Sequence, residues 1–402
     1  MKIAVLGYGT VGSGVVEVLN QNKDSIAKRA GKEIEVKRVL DLRDFPGDPA
    51  ESLITHDFED IVNDPEVAIV AEAMGGVDPA YKYVKACLEN GKSVCTSNKE
   101  LVAKHGAELL EIAKQKKLNF LFEASVGGGI PIIRPLNQSL TADEIMEITG
   151  ILNGTTNYIL TQMRDYGYDF DTVLKEAQRL GYAERNPEAD VEGYDACRKL
   201  AILTSLAYGK QVDFEDIYTE GITKITTEDM KYADAMDASI KLLGIGRREN
   251  DKFFAMVAPR IIGKRHPLYS VNNVFNGILV KGNMLGDVMF YGSGAGKLPT
   301  ASAVVADIVD AAKHVGTNIM THWSSKKLAL STTDEAENVF FVRVAEDQKD
   351  AALAVFGDVK EVKADGVTGE FAFLTAKMTE AAFEACSKKV PVISRIRAEF
   401  DA

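Results

Sequence analysis

Lys2-Ile3-Ala4-Val5-Leu6-Gly7-Tyr8-Gly9-Thr10-Val11-Gly12 is the stretch that decides the fold. A short apolar run, residues 2–6, stops at glycine, and helical periodicity begins at residues 11–19. Between them lies the spacing GxGxxG. In a strand–turn–helix setting those glycines permit a tight turn and let backbone N–H groups approach a pyrophosphate. The positive end of the following helix then faces the anion. Ordinary glycine-rich turns share the spacing, so the motif's position at the head of an alternating domain carries the inference. Gly7, Gly9, Thr10, Val11 and Gly12 are therefore candidate cofactor-binding residues.

Working outward, strand and helix signals alternate to about residue 130, the pattern of a doubly wound α/β domain. Strands are expected at residues 35–40, 67–71, 93–95 and 118–123, with helices at 79–89 and 106–114. The second strand ends in Leu40-Asp41-Leu42-Arg43. Asp41 suits a ribose hydroxyl of NAD, whereas Arg43 suits the 2′-phosphate of NADP. The expectation is use of either nicotinamide cofactor, with a lean toward NADP. Beyond residue 131 the texture changes, mixing helices at 171–180 and 194–208 with strands at 253–259 and 277–281. A glycine cluster, Gly292-Ser293-Gly294-Ala295-Gly296, precedes a helix rich in small residues. The last seventy residues predict strand 338–345, helix 349–356, strands 359–364 and 370–376, helix 380–388 and strand 392–399. The expected architecture is α/β in three parts. A Rossmann-type NAD(P)-binding domain spans 1–131, with a helix at 299–316 packing back onto it. An α+β catalytic and dimerisation domain spans 132–298, and a βαββαβ domain spans 338–402.

With 402 residues, 46% hydrophobic and 26% charged, the chain has the composition of a globular protein with more than one core. A net charge of −12 argues against nucleic acid or an acidic membrane as a partner, because phosphate contacts need a basic field. No apolar run is long enough to span a bilayer. Four cysteines, Cys87, Cys95, Cys197 and Cys386, show no CxxC spacing, so reduced thiols in a cytoplasmic protein are expected.

Two lysines stand out. Thr96-Ser97-Asn98-Lys99 follows a parallel strand, and open α/β sheets bind ligands beyond the carboxyl ends of their strands. Ser97, Asn98 and Lys99 are thus placed at the cofactor edge. Farther on, Glu184, Asp190 and Asp195 precede Lys199. Asp195 and Lys199 have i, i+4 spacing and share a helical face. Leu200-Ala201-Ile202-Leu203 makes that helix apolar, and a buried ammonium needs a carboxylate partner. Burial lowers the lysine's pKa and the carboxylate raises it again, a balance that suits a proton donor near neutrality. The same spacing equally serves a structural ion pair.

These residues lie in longer segments that resemble homoserine dehydrogenases over nearly the whole chain. The segments are residues 7–14 (GYGTVGSG), 96–103 (TSNKELVA), 123–131 (EASVGGGIP), 150–158 (GILNGTTNY), 181–199 (GYAERNPEADVEGYDACRK) and 292–305 (GSGAGKLPTASAVV). The terminal segment resembles an ACT regulatory domain. The resemblance implies NAD(P)H-dependent reduction of L-aspartate 4-semialdehyde to L-homoserine, on the route to threonine, methionine and isoleucine. It implies Lys199 as proton donor and Lys99 as its assistant at the nicotinamide. Glu184 and Asp195 would hold the substrate, with Asp190 supporting the lysine and Thr155 nearby. Gly181, Gly294 and Gly296 would approach the cofactor. A sodium site is implied at the Glu123 carboxylate and the carbonyls of Val126, Gly128 and Ile130. A homodimer or homotetramer, and feedback by an amino acid such as threonine, complete the expectation. Lys297 is an added charge whose role the resemblance leaves open. Two other classes compete: a sensor that binds dinucleotide and amino acid without catalysis, and a semialdehyde enzyme with a cysteine nucleophile, for which the sequence offers no suitable loop.

Overall fold

Strands of a parallel sheet are covered on both faces and read as unbroken apolar runs. The opening run behaves so: four of the five residues of β1 (Lys2–Leu6) are buried. The computed structural model describes residues 1–400, so 401 and 402, the end of the expected C-terminal domain, lie outside the described residues. With β2 (Glu35–Leu40), β3 (Ile54–Thr55), β4 (Val67–Glu72), β5 (Ser93–Thr96) and β6 (Phe120–Leu121), β1 forms a six-stranded sheet. Its spatial order is β3-β2-β1-β4-β5-β6, and the paired strands run parallel. This is the doubly wound dinucleotide-binding order, with the reversal of direction between β1 and β4.

That sheet belongs to the first of two units, residues 1–144, 201–214 and 292–328. The unit thus runs past the expected boundary at 131 and takes in the helix Lys297–Lys313. Ala301, Val304, Val305 and Ile308 of that helix are buried in one core with Ile3, Val5, Val15 and Leu19. Gly14 makes the approach possible: a Cβ there would meet the Ala301 Cβ at 2.9 Å. The last expected strand is short, because from Glu123 the chain turns into a 3₁₀ segment, Glu123–Ser125. The Glu123 N–H donates to the Asp307 carboxylate (2.8 Å) instead of to a neighbouring strand. The helix expected at 106–114 begins earlier, at Lys99, because the Asn98 side chain caps it. Gly106 sits inside that helix with the Trp323 ring against it.

The second unit comprises residues 145–200, 215–291 and the chain from 329 on. It is built on an eleven-stranded sheet. The main strands are β7 (Ile145–Ile151), β8 (Ala238–Glu249), β9 (Lys252–Gly263), β10 (Phe275–Gly282), β11 (Gly286–Ser293), β12 (Glu337–Ala345), β13 (Val359–Val362), β14 (Glu370–Thr375) and β15 (Ser394–Glu399). They lie in the order β11-β10-β7-β8-β9-β15-β12-β14-β13. β8 and β9 form one long hairpin, turning at Asn250 with a φ of 55°. Helices Lys349–Phe356 and Glu380–Ser387 complete a βαββαβ order in the last third of the sheet. Phe340, Phe356, Phe373 and Phe383 are the aromatic centre of its core. The segment from 338 on therefore shares a sheet with the rest of its unit: β15 pairs parallel to β9 on one side and antiparallel to β12 on the other.

Candidate active site

The glycine turn sits where the first sheet reverses direction. Gly7 has a φ of +91°, a conformation that disfavours side chains, and a Cβ on Gly12 would overlap the Gly7 carbonyl oxygen. The turn feeds helix Thr10–Gln21, whose N-cap is Gly9 and whose first turn holds Thr10, Val11 and Gly12. Beside it, at the end of β2, the Asp41 carboxylate accepts the Tyr8 N–H (2.8 Å) and two guanidinium bonds from Arg43 (2.9 and 3.0 Å). The Arg43 guanidinium, with the backbone N–H groups of Tyr8 and Arg43, holds the Asp41 carboxyl down at about 2. The two residues that pull in opposite directions on cofactor choice are thus bonded to each other. Arg43 stays largely in solvent, its side chain 63% exposed, with its guanidinium over the Phe45 ring. Lys297, open in role from sequence, pairs with Glu17 at 2.7 Å.

At the ends of the next two strands, Ser97 and Asn98 form the link between β5 and helix Lys99–Gln115. Asn98 is buried and Lys99, the first residue of the helix, is half-buried. A carboxylate that sequence reasoning did not single out lies beneath them. Glu72, the last residue of β4, is wholly buried and accepts from the Thr96 hydroxyl at 2.5 Å. Its one sequence signal is an acid closing an otherwise apolar strand.

In the second unit, Lys199 and Asp195 fall on one face of helix Tyr194–Tyr208. The Lys199 ammonium donates to Asp195 Oδ2 (2.7 Å) and to the Leu152 carbonyl (2.8 Å). Both are buried, Asp195 to 3% exposure and Lys199 to 9%. Asn153, a residue the sequence reasoning passed over, ties the group together. Its amide nitrogen donates to Asp190 Oδ1 (2.7 Å) and to Asp195 Oδ2 (2.9 Å), and its amide oxygen caps helix Gly154–Tyr166 at the Thr156 N–H. An asparagine before Gly-Thr-Thr at the end of an apolar run is a helix-start signature that would have found it. Thr155 donates to the Tyr182 carbonyl (2.6 Å), fastening the start of that helix to the turn that holds Gly181 and Glu184. Gly181 has a φ of +77°, and Glu184 is exposed.

Back in the first unit, Glu123 accepts three backbone N–H bonds, from Ile132 (2.6 Å), Ile133 (2.8 Å) and Arg134 (2.8 Å). The intervening glycine loop meets the second glycine cluster. Gly129 N–H donates to the Ser293 carbonyl (3.1 Å), and a Cβ on Gly128 would overlap the Gly294 carbonyl oxygen. Gly294 is buried and Gly296 exposed. Cys87, Cys95 and Cys197 are unsuited to act as nucleophiles, because they are buried and desolvation raises each of their thiols, Cys87 to about 12. Cys386 lies in helix Glu380–Ser387 with its thiol toward the Val355 carbonyl.

A doubly wound sheet with its glycine turn at the switch point defines the dinucleotide-binding class of protein, and a second unit carries the buried lysine–carboxylate pair. Family models for homoserine dehydrogenase match residues 131–309, and for the homoserine dehydrogenase NAD-binding domain residues 7–123. A homoserine dehydrogenase of Pseudomonas aeruginosa is 41% identical over 88% of this chain and 84% of its own length. Among solved structures, a homoserine dehydrogenase from Thiobacillus denitrificans aligns with a TM-score of 0.91 and 38% identity, covering 100% of this chain and 98% of that one. A hyperthermophilic archaeal homoserine dehydrogenase solved with NADPH aligns at 0.66 and 28% identity, over 77% of this chain and 97% of that one. The chain belongs to the homoserine dehydrogenase family. It is an oxidoreductase that binds a nicotinamide cofactor, and the non-catalytic sensor is not favoured.

Proposed function

We propose that the chain reduces the aldehyde of L-aspartate 4-semialdehyde to the hydroxyl of L-homoserine, with Lys199 as the proton donor. The reduced nicotinamide, when bound, supplies the hydride. The carbonyl oxygen becomes an alkoxide as the hydride arrives, and an ammonium in a water-poor site both stabilises that charge and delivers the proton. The observation that carries this reading is the buried Lys199 ammonium held between Asp195 and the Leu152 carbonyl. Asp190, linked to Asp195 through Asn153, supports the lysine, and Asp195 also holds the substrate. Glu184, on its exposed turn, meets the substrate's own ammonium, with Thr155 fixing that turn. Lys99 adds positive charge at the nicotinamide edge. Replacing Lys199 by Ala is expected to lower kcat by about 10²–10⁴ while NADPH binding, read by fluorescence titration, is unchanged. Near-normal turnover in that variant would sink the assignment.

Gly7, Gly9, Thr10, Val11 and Gly12 hold the pyrophosphate, with Ser97, Asn98, Gly181, Gly294 and Gly296 lining the cofactor. Both NADH and NADPH serve, with NADPH preferred. Arg43 offsets the Asp41 charge that would repel a 2′-phosphate, and its largely exposed guanidinium would be shared between that carboxylate and the phosphate. A sodium ion is proposed on the loop after Glu123. Hard oxygen donors suit it, and because the Glu123 carboxylate is engaged by three N–H groups, the carbonyls of Val126, Gly128 and Ile130 are the donors that matter. The βαββαβ order and its phenylalanine core support an ACT-type regulatory role for residues from 338 on, with threonine as effector. A homodimer or homotetramer in the cytoplasm completes the proposal. In the described residues no helix is long and apolar enough to cross a membrane.

A further inference from the structure

Three loops meet at the point where the first sheet reverses, and one buried carboxylate bonds to two of them. Glu72 Oε1 accepts the Met74 N–H at 2.7 Å, which fixes the loop leaving β4. That loop is the wall against the glycine turn: a Cβ on Gly7 would stand 3.0 Å from both the Ala73 carbonyl oxygen and the Met74 side chain. Glu72 Oε2 accepts from the Thr96 hydroxyl, and Thr96 Oγ1 in turn accepts the Asn98 N–H at 2.9 Å. Asn98 closes the circuit. Its amide nitrogen donates to the Gly76 carbonyl (2.6 Å), and its amide oxygen caps the Leu101 N–H (3.1 Å) in the first turn of the helix that begins at Lys99. Glu72 and Thr96 are both wholly inaccessible to solvent, so neither meets ligand or water directly.

A carboxylate in such a place is disfavoured unless hydrogen bonds satisfy it. Burial raises the Glu72 carboxyl above its usual range, and the bonds from Thr96, Met74, Gly75 and Asn98 oppose that rise. A hydrophobic residue would pack a strand end with no such penalty, so packing alone does not explain an acid here. The bonding pattern does: each oxygen fixes a different loop, and the chain Asn98 N–H to Thr96 to Glu72 has only one direction when its last acceptor takes bonds and gives none.

We propose that Glu72 is a positioning residue, acting through Thr96 and Asn98 to set the first turn of the Lys99 helix and, through Met74, the wall of the glycine turn. This rests on the reading of Lys99 as a residue of the reaction. The test is a double-mutant cycle on the full-length enzyme with Thr96→Val, Glu72→Gln and Lys99→Ala, measured as kcat and as KM for NADPH and for the semialdehyde. Thr96→Val is expected to lower kcat about tenfold or more, with Glu72→Gln showing a smaller loss and Thr96→Ser, which keeps the hydroxyl, restoring wild-type rates. Added to Lys99→Ala, Thr96→Val should then lower kcat little further, because its effect passes through that lysine. Full additivity in the cycle, or normal kcat in soluble Thr96→Val and Glu72→Gln protein whose only change is a lower Tm, would overturn the proposal. Normal kcat in Lys99→Ala alone would instead overturn the role of Lys99, a distinguishable outcome. Should Thr96→Val fail to fold, Glu72→Gln against Thr96→Ser carries the same comparison.

Discussion

At the end of β2 the role proposed for the Asp41–Arg43 pair would make cofactor choice a question of which ligand Arg43 prefers. The Asp41 carboxyl, held down at about 2 by the Arg43 guanidinium and two backbone N–H groups, is ionised at neutral pH, so its charge always faces Arg43 in the free enzyme. A 2′-phosphate must compete with Asp41 for the guanidinium, whereas a ribose hydroxyl can use Asp41 as it stands. Asp41→Asn removes the competing charge, and the ratio of kcat/KM with NADPH to that with NADH is expected to rise on the order of tenfold. Arg43→Ala should move the ratio the other way by lowering the NADPH value. Steady-state kinetics with both cofactors decides; an unchanged ratio in Asp41→Asn removes the pair from cofactor choice. These two residues were legible in sequence because a strand end has a known chemistry, and Lys199 with Asp195 because i, i+4 spacing implies contact. Asn153 and Glu72 were not. Their partners lie 37 and 42 residues away for Asn153 and 24 for Glu72, and one asparagine or one glutamate carries no spacing of its own.

Among the elements, those with a clean period came out at their expected places: the helix at 194–208, the helix at 349–356 and β1, β2, β4 and β5 of the first sheet, whereas the two-residue β3 was not expected and β6 is shorter than the expected strand. β8 was missed, because Lys241, Gly244 and Gly246 interrupt its apolar run and almost every residue is buried on both faces. Lys241 is also the source of an element-level prediction. Its ammonium lies inside the unit, donating to the Val271 carbonyl (2.6 Å), Asn272 Oδ1 (2.9 Å) and Asn157 Oδ1 (3.3 Å). It ties β8 to helix Gly154–Tyr166 and to the loop before β10. Burial lowers this lysine to about 7, whereas an unfolded chain holds the proton to about 10.4. Between those values unfolding takes up a proton, so this group's contribution to stability rises with pH from about 7 to about 10 and is flat outside that window. Urea midpoints measured from pH 6.5 to 9.5 should therefore carry a component that climbs with pH in the wild type and is absent in Lys241→Met. In that variant the buried acceptors also lose their donor, a cost of about 1–3 kcal/mol, so its deficit against the wild type should be greatest at the alkaline end and shrink toward pH 6.5. Parallel pH curves for the two proteins would show that the lysine keeps an ordinary proton affinity.

For the molecule as a whole, the C-terminal βαββαβ segment was readable element by element, but its attachment was not. Arg260 of β9 pairs in register with Arg397 of β15, and nothing local in either strand announces a partner so far along the chain. Charges were buried to make the join. Arg343 donates to Asp229 (2.7 Å) and in bidentate fashion to Glu370 (both 2.8 Å), and Arg397 to Glu380 (2.6 and 2.9 Å) and Glu220 (2.9 Å). Asp229 is inaccessible to solvent. Cutting the chain before β12 would leave Asp229 and Glu220 without their arginines and expose the edge of β9, and breaking one buried pair already costs about 3–5 kcal/mol. A chain ending at residue 336 is thus expected to lose far more than its response to an effector. It should express as aggregate, or melt well below the full-length protein, whereas a regulatory module on a tether would leave the rest unharmed. The comparison is a thermal melt and size-exclusion profile of the truncated and complete chains, with Arg343→Ala as a lesser lesion in the intact molecule. A truncated protein that melts with the full-length one would mean that the shared sheet contributes no stability, and that the segment from 338 on is separable after all.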